Sequence, residues 1–489
     1  MTESLGESEG DAQERESLAD LLMLHPFSDE EPLICTIEGA TPAGEARQWA
    51  RDVAASLVVA GVRPGQAVAV QLESGPGAVA AMFGVWLAGA IFVPVNPRQP
   101  AREVEHVLAT VRPVAVLRDS GIEPLEDPAG FDPDVAFVTW TSGTTGAPKP
   151  ILQTHSGYLE ILDRVLGTLR PDRPESEDSQ SERRPSPNLV PVSLALNAGI
   201  YNVLFGLRAG AAVVLMGRFS AVEFARLVER YQIRSTVLPP AAMTMLTDAS
   251  EIDGLAPLRY VRSITAPLSP LAARRFMDRF GVTVLNGYGQ AEIGEVIGWT
   301  AADAKVHPEK LGAAGRPHQG VDIKIIDSAG HLVAAGQPGE LLVRPPRMAA
   351  GYAGGASMAD RVDADGFVRT GDYAVVDNDG FVWIEGRVTD LINRGGNKVF
   401  PDQVEEVLML TPGVSDAAVV GVPDARLGEV PVAFVVGEAS DADLEALCRE
   451  HLVAYKIPVA FHHVDSLPRS EVGKLMRRQL AASLNPPSP

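Results

Sequence analysis

The chain has 489 residues, too many for one ordinary core, and 46% of them are apolar, enough to fill two or more packed domains. A formal net charge of −21 argues against nucleic acid or an anionic membrane as a general partner, while leaving room for a local nucleotide site. Two cysteines, Cys35 and Cys448, do not make a disulfide framework or a thiolate metal site, so a reducing cytoplasm is expected.

In chain order, residues 1–20 are acidic and poor in apolar side chains, and they lack the segments of a signal peptide. A disordered tail is expected there. Residues 67–72 read as a strand. Residues 77–95 carry no charge and approach the length of a bilayer span, but Gly84, Gly89 and Pro94 interrupt them. The expectation is a buried helix ending near Gly89 and a buried strand over 90–93, with no membrane span. Strands follow at 114–117 and 135–138.

The second of these runs into Thr139-Trp140-Thr141-Ser142-Gly143-Thr144-Thr145-Gly146-Ala147-Pro148-Lys149-Pro150. Glycines let backbone amides turn toward an anion, hydroxyls add donors and a lysine adds a point charge. The spacing is not that of a Walker A loop. Taken alone, it reads equally as a phosphate cradle or as a hairpin with a surface lysine.

Residues 171–187, rich in Ser, Glu, Arg and Pro, read as an exposed insertion. Strands at 211–215, 235–238 and 282–285 alternate with a helix over 222–231, which implies α/β layers with largely parallel strands. From about residue 320 the helical pattern fades into a β-rich subdomain. Beyond Arg387 a small α+β unit appears: a helix over 401–410, strands over 417–420 and 432–436, and a helix over 441–451. The expected organisation is a tail over 1–20, a core over 21–388 and a mobile lid domain over 389–489.

The loop resembles the phosphate-binding signature of the adenylate-forming enzymes, which include acyl- and aryl-CoA ligases, peptide-synthetase adenylation domains and luciferases. Further matches follow in the family's order: Asn286-Gly287-Tyr288-Gly289-Gln290-Ala291-Glu292, Gly315-Arg316-Pro317, Gly339-Glu340-Leu341, Thr370-Gly371-Asp372, Gly386-Arg387-Val388-Thr389-Asp390, Arg394-Gly395-Gly396-Asn397-Lys398-Val399-Phe400-Pro401 and Arg469-Ser470-Glu471-Val472-Gly473-Lys474. One motif is weak; this series, from Thr139 to Lys474, is specific.

The resemblance implies an ATP-dependent acid–thiol ligase. It activates a carboxylic acid as its acyl-adenylate, releases pyrophosphate and passes the acyl group to CoA or to a carrier protein's phosphopantetheine. It implies that Thr141, Ser142, Gly143, Thr144, Thr145, Gly146 and Lys149 receive the departing phosphates and that Glu292 holds Mg2+. Asp372 and Arg387 would take the ribose, and Ala266, Pro267, Asn286, Gly287, Tyr288, Gly289, Gln290 and Ile384 would surround the nucleotide. Lys474 would bridge the carboxylate and the α-phosphate. Thr389 would be the hinge that lets Gly395 and Gly396 replace the lysine loop for thiolation. Without the resemblance, Asp372 reads as a turn-former, Glu292 as a surface acid and Lys474 as a solvated lysine.

Departures from the family bear on substrate. Ala291 stands where a threonine is usual, Thr389 where Asp or Lys is usual, and Ser263-Ile264-Thr265-Ala266-Pro267 replaces a Gly-rich step. Leu196 or Asn197 takes the place of a gating histidine or aromatic. Leu194, Leu196, Asn197, Ala198, Tyr201, Ile293, Val296 and Ile297 are the expected acid pocket, apolar in character, which favours an aryl, fatty or polyketide-derived acid. No aspartate is found to anchor an α-ammonium, though Glu295 leaves room for an amine elsewhere on the substrate. The alternatives are loading of a carrier protein, an amine or other nucleophile in place of the thiol, and a non-catalytic nucleotide-binding regulator.

Overall fold

The computed structural model describes residues 16–140, 149–169, 185–266, 268–353, 359–469 and 475–484. These fall into two compact units. One takes the described residues of Met1–Thr139, Ile151–Asp163 and Gln180–Arg218, and the other those of Trp140–Pro150, Arg164–Ser179 and Phe219–Pro489. This partition cuts within the expected 21–388 core.

The first unit is layered α/β. Ile91–Pro94 and Ala115–Arg118 flank Ala67–Val70 in parallel, and Gly121–Pro124 closes that edge antiparallel. The uncharged stretch forms the helix Pro76–Leu87 and the strand Ile91–Pro94. The helix is apolar all round and buries residues 78–86, as a helix inside a core does. Among the described residues no helix is long and apolar enough to cross a membrane. A second sheet runs Asn188–Val190, Val213–Leu215, Pro32–Cys35, Ala40–Pro42. Packing begins earlier than the expected end of the tail at residue 20: Leu18 and Ala19 are buried in this unit's core, beside Leu21 and Leu22 of the helix Asp20–Met23. Residues 1–15 and 170–184, which hold most of the expected tail and insertion, lie outside the described residues.

The second unit opens with three parallel strands, Ser235–Leu238, Tyr260–Ser263 and Thr283–Leu285. The helix Pro270–Phe280 crosses between the last two; Ser269 caps it by accepting from Ala272 N–H at 3.2 Å, with Pro270 in its first turn. The β-rich subdomain follows as expected. One antiparallel sheet joins Gly287–Gln290, Gly294–Gly298 and Arg316–Pro317. Another joins Asp322–Ile326, Gly339–Arg344, Val368–Val376 and Val382–Arg387. The C-terminal segment builds a five-stranded sheet dominated by the hairpin Val414–Asp424 and Gly428–Gly437. The helices Pro401–Leu408 and Asp441–His451 pack on it around a core of its own, including Val404, Leu408, Val419, Val435 and Leu444.

Candidate active site

The strand Val368–Val376 is not regular. Leu342 faces Arg369 and Glu340 faces Tyr373, so three residues, 370–372, oppose Leu341 alone. Gly371, at φ +72°, supplies the left-handed turn this bulge needs. The expected Thr-Gly-Asp turn is therefore a bulge inside a strand. Thr370 Oγ1 donates to Leu341 O at 2.6 Å and accepts from Asp372 N–H at 3.1 Å. The bulge sets Asp372 directly across from Arg387 on the next strand, with Nε 2.8 Å from Oδ1. Tyr288 OH donates to Oδ2, and Gln290 Nε2 donates to it at 3.0 Å. Burial pushes the Asp372 carboxyl above its ordinary range, against the opposing pull of Arg387, Tyr288 and Gln290. Burial, with Asp372 beside it, pushes the Tyr288 phenol well up, so Tyr288 remains a proton donor.

Glu292 is also buried, at 6% exposure. Its Oε1 accepts from Tyr352 OH at 3.1 Å and from Arg361 Nη1 at 2.7 Å. Arg361 Nη2 donates to Gln290 Oε1 at 2.8 Å. The Gln290 amide thus joins the two acids, accepting from Arg361 and donating to Asp372. Lys149 Nζ stands 5.5 Å from the centre of the Tyr352 ring. One connected network runs Lys149, Tyr352, Glu292, Arg361, Gln290, Asp372, Arg387. Its cations, Lys149, Arg361 and Arg387, outnumber its carboxylates, Glu292 and Asp372, which suits a polyphosphate ligand. Among the described residues no group of three or more His, Cys, Asp or Glu gathers as a metal cage. Magnesium does not require one: it binds through one or two carboxylates together with substrate phosphates, and a buried, hard-oxygen Glu292 fits that role.

Other expected residues fall as follows. Gly287, Tyr288, Gly289 and Gln290 form one strand, and Asn286 precedes it, its Oδ1 accepting from Gly287 N–H at 3.0 Å. Ile384 is half-buried in Val382–Arg387. Ala266 is exposed beside Thr265, which holds φ +75°, a backbone region rare for a β-branched residue. Ile293, Val296 and Ile297, all expected to line the acid pocket, instead pack together fully buried in the β-rich core. In the first unit, Leu196 is 42% exposed at the start of the helix Asn197–Arg208. Asn197 Oδ1 accepts from Tyr158 OH at 3.0 Å, and the Tyr201 ring stacks on Phe205. Gly395 and Gly396, both at positive φ, form the tip of the hairpin Ile392–Arg394 and Asn397–Val399. Thr389 lies in the short helical turn Val388–Asp390, its Oγ1 3.1 Å from Asp390 Oδ1.

Thr141, Ser142, Gly143, Thr144, Thr145, Gly146, Pro267 and Lys474 lie outside the described residues. On either side of residues 470–474 the chain is anchored. Arg469 bridges Leu475 and forks onto Asp416, with both oxygens at 2.8 Å from Nη2, while Arg477 pairs with Asp402 and Glu405 on the helix Pro401–Leu408.

Sequence reasoning missed Tyr352 and Arg361, which belong to no periodic pattern and reach Glu292 only through folding. It also misread Glu295. Rather than being open to a substrate amine, this carboxylate is paired with Arg262 and lies 3.3 Å from His318 Nε2, which in turn has Thr168 Oγ1 3.2 Å from its Nδ1. Burial opposes its charge, but Arg262 and His318 prevail and hold it down to about 2.

Comparison with known proteins agrees with this geometry. The AMP-binding enzyme family matches residues 43–129 and 121–353, and the AMP-binding enzyme C-terminal domain matches 403–474. A feruloyl-CoA synthase of an Amycolatopsis species is 33% identical over 476 residues, spanning 90% of this chain and 93% of that protein. The structure of the o-succinylbenzoate CoA synthetase of Bacillus subtilis with its acyl-adenylate intermediate has a TM-score of 0.82 at 25% identity, covering 94% of this chain and 97% of that one. An amide bond synthetase of Marinactinospora thermotolerans gives 0.81 at 25% identity, covering 96% and 99%. The chain belongs to the family of AMP-binding, adenylate-forming enzymes.

Proposed function

We propose that this chain activates an aryl-type carboxylic acid with ATP and transfers the acyl group to CoA. A carboxylate oxygen of the acid attacks the α-phosphorus, the bond to the bridging oxygen breaks, and pyrophosphate leaves with the electron pair. A thiolate sulfur then attacks the acyl carbon, and AMP departs. The observation that carries this reading is the single network that joins Asp372 and Arg387 to Glu292 and Lys149, an arrangement that would set a ribose acceptor and a phosphate-binding end side by side. Asp372, held ready by three donors, takes the ribose hydroxyls. Tyr288, kept protonated, orients Asp372. Lys149 neutralises the departing phosphates, and Glu292 is the group that would hold magnesium, which supplies charge compensation on the phosphate oxygens. Residues 389–489 act as the lid, with Thr389 as hinge and Lys474 delivered for the first step. The buried, unbridged Cys35 and Cys448 suit a reducing cytoplasm.

The aryl assignment is supported by the feruloyl-CoA synthase likeness and by the exposed aliphatic Leu196 beside Tyr201 and Phe205 in the first unit. The likeness to an amide bond synthetase favours a second reading, with an amine as acceptor. One experiment decides: pyrophosphate release across aryl, arylpropenoic, fatty and amino acids, with CoA, an amine or no acceptor, and products identified by mass. Acyl-CoA from an aryl acid supports the proposal. Amide product without acyl-CoA selects the second reading, and no pyrophosphate from any acid overturns both.

A further inference from the structure

The nucleotide network contains a cation that no motif supplies. Arg361 stands just after the residues at 354–358, in the short helical turn Ala359–Arg361. Its guanidinium is not loosely placed. Nε and Nη2 both donate to the backbone oxygen of Arg369, at 3.3 and 3.1 Å, Nη2 also donates to Gln290 Oε1 at 2.8 Å, and Nη1 donates to Glu292 Oε1 at 2.7 Å. The bulged strand that carries Asp372 therefore also holds Arg361. The Glu292 side chain is only 8% exposed, and its other donor, Tyr352 OH, is neutral. Lys149 lies over the Tyr352 ring, one residue removed from the carboxylate.

If this network is the ATP site, a buried carboxylate within it is a repulsive element toward a triphosphate unless a cation accompanies it. A magnesium-holding carboxylate with no partner of its own would rely on the metal that arrives with ATP. Here the chain brings a permanent cation of its own, since a guanidinium does not deprotonate. We propose that Arg361 is the resident countercation of Glu292: it neutralises the acid before nucleotide arrives, positions its carboxylate, and makes ATP binding less dependent on magnesium. Arg361 is a positioning residue. It reaches the nucleotide through Glu292 and Gln290.

The inference rests on the reading of this network as the ATP site, and the test separates the two. ATP and AMP affinities are measured by calorimetry without acid substrate, in excess Mg2+ and in EDTA, for the wild type, Arg361→Gln and Arg361→Lys. If the wild type binds neither nucleotide, the site itself is misassigned. If it binds, Arg361→Gln is expected to weaken ATP by about tenfold in EDTA and by only about twofold in Mg2+, with AMP little changed, because AMP brings no β- and γ-phosphates near Glu292. Arg361→Lys, which keeps the charge, is expected to restore most of the EDTA affinity. Equal losses in both media and for both nucleotides would mean a merely structural role and overturn the proposal. Glu292→Gln gives a second reading that does not depend on the Arg361 variants folding. With the acid neutral and Arg361 retained, ATP in EDTA should bind several-fold tighter than to the wild type; unchanged or weaker binding overturns the proposal.

Discussion

At the scale of single residues, Thr265 and Glu295 carry distinct tests. Thr265 holds φ +75° and is exposed, in a step that the family resemblance leads one to expect to be glycine-containing. A left-handed conformation costs an L-residue roughly 1–2 kcal/mol, while glycine loses some of that gain to unfolded-state entropy. Thr265→Gly is therefore expected to stabilise the fold by about 0.5–1 kcal/mol, read as a raised melting temperature, and to broaden the range of acids adenylated. A lowered melting temperature would show that the threonine side chain repays its strain. Glu295 is held down to about 2, well below the ordinary carboxylate range, by partners that outweigh burial. A depressed carboxyl contributes stability that is complete above the unfolded pKa and is lost as pH falls through the folded one. Glu295→Gln should thus cost on the order of 3 kcal/mol at neutral pH, with the deficit relative to the wild type shrinking as pH falls from about 4.5 to about 2. Denaturant melts across that range check it; a pH-independent deficit would mean packing, not charge, is what the glutamate supplies.

Among the elements, the contact between the helices Pro401–Leu408 and Pro270–Phe280 is the most testable. Glu406, on the helix Pro401–Leu408, accepts from Ser269 Oγ at 2.9 Å and from Leu271 N–H at 3.1 Å, so a carboxylate of the C-terminal segment sits on the N-terminus of the helix Pro270–Phe280. Lys398 adds a bond to Tyr373 OH, and Phe400 lies 5.4 Å from the Tyr373 ring. Capping and dipole interactions of this kind contribute about 0.5–2 kcal/mol. Glu406→Ala is expected to loosen this docking by that amount, seen as faster hydrogen exchange at Leu271 and readier proteolysis near residues 388–390, and to shift the balance between the two half-reactions. Unchanged exchange at Leu271 would show that Ser269 alone caps the helix. Most elements were legible beforehand. The helices 76–87 and 441–451 and the strands at 67–70 and 235–238 declare themselves by an all-apolar run or by period, which is local information. The bulge at residues 370–372 was not legible, because a Gly-Asp pair favours a turn and a bulge equally until a neighbouring strand is present to set the register.

For the whole molecule, the proposed division of labour predicts that Lys474→Ala abolishes adenylate formation while leaving thiolation of a supplied acyl-adenylate largely intact, since the lysine would serve the first transition state only. Single-turnover assays of each half-reaction check this; equal loss in both would remove the two-step assignment to Lys474. The anchors Arg469 to Asp416 and Arg477 to Glu405 fix the chain on either side of residues 470–474, so the substitution tests the lysine and not the surrounding fold. By itself the sequence determined the family, the order of its motifs and the layered α/β class, and it put forward Glu292, Asp372, Arg387 and Lys149 as candidates, because those depend on local pattern and on residue type at fixed spacing. Only the tertiary structure decided that Glu292 is paired with Arg361, that Gln290 ties it to Asp372, that Ile293 belongs to the core and that Glu295 is closed off by Arg262 and His318. The polar pairings join residues from 23 to 82 positions apart, and whether a carboxylate is free or already satisfied depends on which charge the fold brings beside it once water is excluded.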